Sequence, residues 1–130
     1  MDKHASSQRP VILVVEDEPF VRFHAADLLE EEGFAVAEAA NAENALRLLE
    51  NRPDVNLVFT DIQLPGALDG MDLARHIHKR WPHIQVVITS GRKRPGPAEM
   101  PDDGRFIAKP YTPQDLLREI NNLGLVPGSG

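Results

Sequence analysis

At 130 residues the chain is long enough to enclose one hydrophobic core and too short for two domains. Its formal net charge of −6 argues against a nucleic-acid or anionic-membrane surface as default partner, and the lack of cysteine excludes disulfides, thiolate chemistry and cysteine-bound zinc. No apolar run approaches the ~20 residues that span a bilayer, and no signal-peptide pattern opens the chain, so the sequence reads as a soluble cytoplasmic protein.

Residues 1–10 are polar and aperiodic and are expected to form a flexible leader. The run Val11-Ile12-Leu13-Val14-Val15 is wholly apolar and mostly β-branched, the composition of a strand buried on both faces at the centre of a parallel sheet. It ends in Glu16 and Asp17. Glu18-Pro19 opens a helix, because proline is tolerated where the first N–H has no partner anyway. Val21, Ala25, Leu28 and Leu29 are its expected inner face, and Gly33 its stop.

A short mixed strand over 34–40 follows, then Asn41 as the cap of a helix facing inward through Ala42, Ala45, Leu46 and Leu49. The strand from Val55 delivers Asp61 at its end. A Pro/Gly loop over 64–70 leads to a helix from Met71, with Ala74, Ile77 and Trp81 inward and Pro82 blocking extension. The strand Ile84 to Thr89 runs into Ser90-Gly91. Residues 92–105 hold three prolines and two glycines, so a helix there is expected to be short or disordered. Phe106-Ile107-Ala108 is a short strand ending in Lys109-Pro110. Pro113 starts a last helix with Leu116, Leu117, Ile120 and Leu123 inward, and residues 124–130 are expected to form a flexible tail.

Strands alternating with helices at this spacing imply a parallel sheet covered on both sides. Five such units in one domain, over 11–123, predict a flavodoxin-like doubly wound α/β fold with strand order 2-1-3-4-5. Ligands of such sheets collect beyond the carboxyl ends of the strands. Those ends carry Glu16, Asp17, Asp61, Ser90 and Lys109. Carboxylates crowded together repel, by about 4 kcal/mol for a unit pair at ~4 Å and an effective dielectric near 20. Lys109 offsets part of this, and a hard divalent cation that prefers oxygen ligands is the natural complement. Acids, a cation site, a hydroxyl and a lysine together suit the handling of a phosphoryl group.

The series Glu16-Asp17, Asp61 with Pro65 and Asp69-Gly70, Ser90-Gly91 and Lys109-Pro110 resembles the receiver domain of two-component response regulators. The resemblance implies that Asp61 accepts a phosphoryl group from a histidine kinase or histidine phosphotransfer protein. It implies that Asp17, Asp61 and the backbone carbonyl of Gln63 hold Mg²⁺ (or Mn²⁺), with Glu16 acting through a metal-bound water. Lys109, before a proline bond that is cis in the family, and Ser90 would bind the phosphoryl oxygens. Ser90 and Phe106 would form the switch, and Gln63 and Arg92 would tune phosphate lifetime. Such a protein is no enzyme beyond its own phosphorylation and dephosphorylation, and signals by altered binding to a downstream protein.

Two features depart from the family pattern: the loop 65–70 is one residue longer, and the prolines of 92–105 put the fourth helix in doubt. The run Arg92-Lys93-Arg94 reads either as a solvated loop or as a docking patch for an acidic partner. With no output domain expected, a stand-alone receiver is favoured over the amino-terminal part of a longer regulator. A receiver-like module that works without phosphorylation leaves Asp17, Asp61 and Lys109 unexplained. A haloacid-dehalogenase-type hydrolase would carry its nucleophile after the first strand, and a flavin binder would carry a hydroxyl-rich loop where this chain has acids.

Overall fold

The computed structural model describes residues 9–91 and 105–128. Its elements follow in the order β1 (Val11–Val15), α1 (Pro19–Glu31), β2 (Ala35–Ala39), α2 (Ala42–Asn51), β3 (Val55–Asp61), α3 (Gly70–Arg80), β4 (Gln85–Ser90), β5 (Arg105–Ala108) and α4 (Pro113–Asn122). The five strands form one parallel sheet in the order β2-β1-β3-β4-β5, the doubly wound arrangement the alternation predicts. The short or disordered helix expected over 92–105 falls, apart from Arg105, outside the described residues, as do Arg92, Lys93 and Arg94.

All five β1 residues are buried because the strand is paired on both edges and covered on both faces. Side chains alternate across a strand, so Val11, Leu13 and Val15 join the layer under α2 and α3, whereas Ile12 and Val14 join the layer under α1 and α4. A bulge at Asn56 shifts the β1–β3 register between Val11 and Ile12, and Asn56 Oδ1 accepts the Val11 N–H at 2.8 Å. The extra residue is why Val55 and Val58 share one layer although three positions apart.

The helices are capped as their sequences suggest. Asn41 accepts from Asn44 N–H at 2.8 Å, and Thr112 and Asp115 form a reciprocal capping box before Pro113. Glu18 stands just outside α1, where its carboxylate accepts from the N–H groups of Phe20 and Val21. The inner face of α1 differs from the expected one. Ala25, Ala26 and Leu29 are buried and Leu28 is half-buried, whereas Val21 is 38% exposed and lines cavities beside Lys109 and Tyr111 instead of the core. Trp81 is a half-buried C-terminal cap of α3, with the Arg80 guanidinium 4.5 Å over its ring. At the opposite end of the sheet Leu125 packs on the α1–α4 layer and Gly128 N–H donates to Gly33 O at 3.1 Å.

Candidate functional site at the strand ends

Parallel strands bring their carboxyl ends to one edge, and the predicted residues meet there. Thr89 pairs with Asp61 across β4 and β3, and Lys109 N–H donates to Ser90 O at 3.1 Å, which seats the lysine beside the end of β4. The Lys109–Pro110 bond is cis.

Asp61 is buried, and both its carboxylate oxygens are held. Lys109 Nζ donates to Oδ2 at 2.7 Å and Gln63 N–H donates to Oδ1 at 3.0 Å. Glu16 is equally buried, with Oε1 3.5 Å from Lys109 Nζ and Oε2 accepting the Glu18 N–H at 3.0 Å. One ammonium therefore serves two carboxyl groups. Burial pushes the Glu16 carboxyl up to about 7; the Glu18 N–H and Lys109 pull it down, and Asp61 adds to the rise. Burial works against the charge on Lys109, but the Asp61 carboxylate and then Glu16 more than offset it, so the ammonium titrates above the ordinary lysine range.

Asp17 stands apart from this pair. It is exposed and lines an open cleft of about 510 Å³ with Ile62, Gln63, Leu64, Pro65 and Asp69. Among the described residues no three carboxylate or imidazole side chains converge into a ready metal cage. The donors here suit a hard cation nonetheless: they are all oxygen, and Mg²⁺ commonly binds through one or two carboxylates while keeping several waters.

The two switch candidates lie on neighbouring strands, β4 and β5. Ser90 is buried at the end of β4 and donates its hydroxyl to Gln63 Oε1 at 3.0 Å. Phe106, paired in register with Ile88, is half-buried against the α2–α3 layer. Arg92 lies outside the described residues.

Three residues were given no role in the site from the sequence, although Gly70 belongs to the series that carries the resemblance. Arg22 donates to Glu16 O at 2.8 Å and to Glu38 Oε1 at 3.1 Å, holding the β1–α1 turn to the next strand. Its position five residues beyond the acid pair was the only available signal. Gly70 N–H donates to Ile62 O at 2.8 Å, and a Cβ on Gly70 would lie 2.0 Å from the Asp61 carbonyl oxygen, so only glycine allows α3 to start this close. Tyr111 packs edge-on against Phe59 with ring centroids 5.6 Å apart, under the site.

A family model described as the response regulator receiver domain matches residues 12–121. The chain belongs to that family. Among curated relatives, the nitrogen assimilation regulatory protein NtrX of Azorhizobium caulinodans is 42% identical over 82 residues, 62% of this chain and 18% of that protein. The sensor kinase CckA of Brucella abortus is 31% identical over 116 residues, 86% of this chain and 12% of its own length. This receiver thus spans under a fifth of the curated relatives it first matches. A receiver domain structure from Clostridium thermocellum is 35% identical with a TM-score of 0.77, covering 88% of this chain and 93% of that one. Receivers are signalling modules rather than enzymes, typically bind Mg²⁺ and interact with histidine kinases. No helix among the described residues is long and apolar enough to cross a membrane.

Proposed function

We propose that this receiver takes a phosphoryl group on Asp61 from a phosphohistidine of a histidine kinase or phosphotransfer protein, and that the phosphorylated state changes its binding to a downstream protein. The observation that carries the reading is the contact between Lys109 Nζ and Asp61 Oδ2 at 2.7 Å, at the end of a buried strand and beside a second buried carboxyl group.

In the transfer, a carboxylate oxygen of Asp61 attacks phosphorus as the P–N bond breaks. The electron pair leaves with the imidazole nitrogen, giving an acyl phosphate and a histidine that is free to take up a proton. Lys109 neutralises charge on the phosphoryl oxygens, the Gln63 N–H orients the attacking carboxylate, and Ser90 donates to the transferred group. Asp17, Asp61 and the Gln63 carbonyl would hold Mg²⁺, with Glu16 reaching it through water; the cation supplies charge neutralisation for a reaction that depends on in-line placement and electrostatics. Glu16 has a further part, keeping Lys109 protonated and aimed between the two acids.

The start of α1 borders Asp61, with Val21 lining a small cavity beside Glu16, Asp61 and Lys109. Phe20 is 80% and Phe23 49% exposed there. Beside them an apolar cleft of about 480 Å³, lined by Val21, His24, Leu28, Pro110 and Tyr111, runs up to Lys109. An apolar approach ending at the ammonium supports docking of the phosphohistidine protein on this side.

The test is chemical. After incubation with acetyl phosphate and Mg²⁺, borohydride reduction converts an aspartyl phosphate to homoserine, which peptide mapping locates. Homoserine at position 61 is expected; reduction at Glu16 or Asp17, with Asp61 intact, would contradict the assignment.

A further inference from the structure

Asp17 is exposed in the open cleft beside Ile62 and Gln63, so the direction of its carboxylate depends on the turn that carries it. That turn leaves the sheet at Glu16. The Glu16 N–H still donates to Ala39 O at 3.1 Å, but its carbonyl lies past the end of β1 and accepts from Arg22 Nη1 at 2.8 Å. This carbonyl belongs to the same planar peptide unit as the Asp17 nitrogen, so a grip on the oxygen fixes the direction in which the Asp17 backbone departs. On the far side of Asp17, the Glu18 N–H donates to Glu16 Oε2 at 3.0 Å.

We propose that Arg22 is a positioning residue for Asp17, setting the affinity of the cleft for a divalent cation without touching the cation. The inference rests on the assignment of Asp17 to the cation. Arg22 is itself held: its side chain is 16% exposed, Nε donates to Glu38 Oε1 at 3.1 Å, and the Phe23 ring centroid lies 5.2 Å from the guanidinium. Glu38 sits on β2, paired with Val14 of β1, so the fork ties the turn to the sheet. Arginine supplies these two donors in one fixed plane, which lysine does not. The helix has other anchors, since α1 buries Ala25, Ala26 and Leu29 and is capped by Glu18.

Position and charge make opposite predictions. As a positive charge alone, Arg22 would repel a cation, and Arg22→Gln would tighten binding. As a positioning group, its loss loosens the turn and weakens binding on the order of 10-fold, the lower range for residues that orient a metal ligand from behind. Arg22→Lys keeps the charge and loses the fork, so it too should weaken binding.

The experiment uses the full chain, with Mg²⁺ alone as the probe. Amide shifts titrated with Mg²⁺ give dissociation constants for the wild type, Arg22→Gln, Arg22→Lys and Asp17→Asn, and hydrogen exchange of the metal-free proteins reports the Glu18 N–H. The expected results are weaker Mg²⁺ binding in both Arg22 variants and faster Glu18 exchange, with exchange from Ala25 to Leu29 unchanged. Adding Arg22→Gln to Asp17→Asn should cause no further loss. Wild-type or tighter binding in Arg22→Gln would overturn the proposal, as would an equal loss in the Asp17→Asn background, which a purely structural role produces. A wild type that binds no Mg²⁺ contradicts the cation reading itself, whereas equal Glu18 exchange in metal-free wild type and Arg22→Gln contradicts the part of Arg22 in the turn.

Discussion

Glu16 and Asp61 lie side by side with one ammonium between them, and their environment makes the site electrostatically unhappy when both are charged. Burial lifts the Glu16 carboxyl from its ordinary value of 4.5 to about 7. An acid whose folded pKa is raised binds its proton more tightly when folded, so stability falls as pH rises between those two values and stays low above them. Metal-free protein should therefore melt at a lower temperature at pH 8 than at pH 5.5. Mg²⁺ that binds only the folded state should recover part of the difference at pH 8. In Asp61→Asn, which removes one of the crowded charges, the pH dependence should flatten. Thermal unfolding of both proteins at the two pH values, with and without Mg²⁺, checks this; an equal slope in the variant would contradict the shared-ammonium account. The residue types of the site were legible because each acid, hydroxyl and lysine directly follows a strongly apolar strand. The Ser90–Gln63 contact was not, since it depends on how β3 and β4 align and on which way an exposed glutamine turns.

At the scale of elements, two substitutions separate what builds the site from what merely builds the fold. Gly70 begins α3 against the Asp61 carbonyl, and a methyl group there would lie 2.0 Å from that oxygen, far inside contact distance. Gly70→Ala must push the end of β3 or the start of α3 away, so both stability and the rate of phosphorylation should fall. Chemical denaturation and phosphoryl uptake measure the two. Thr112 caps α4 at 3.0 Å from Asp115 N–H, away from the acids. Thr112→Ala should cost about 1 kcal/mol, a fall of ~4 °C in Tm, and leave phosphorylation unchanged. The helices were readable from caps and spacing where one face is buried throughout, as in α2. They were misread where burial lapses within an apolar stripe. In α1 the apolar period continues through Val21, yet the first turn lies over an open cleft and presents Phe20 and Phe23 to solvent. Periodicity finds an apolar face but does not tell a core from a docking surface.

For the molecule as a whole, parallel pairing gathers Glu16, Asp17, Asp61, Ser90 and Lys109 at one edge of a single sheet, which the alternation of strands and helices was sufficient to foretell. The bulge at Asn56 was beyond such a reading, because the pattern of β3 alone does not reveal its register against β1. So was the return of Leu125 and Gly128 to the far end of the sheet. The central claim is that this edge is a phosphoacceptor site served by Lys109 and a divalent cation, with Asp61 as its nucleophile. Intact-mass spectrometry of the wild type and of Asp61→Asn, after incubation with acetyl phosphate with and without Mg²⁺, tests it most directly. The account predicts one phosphoryl adduct on the wild type that requires Mg²⁺ and is absent from the variant. An adduct of equal yield on folded Asp61→Asn, or no adduct on folded wild type with acetyl phosphate or a phosphohistidine donor, would contradict it.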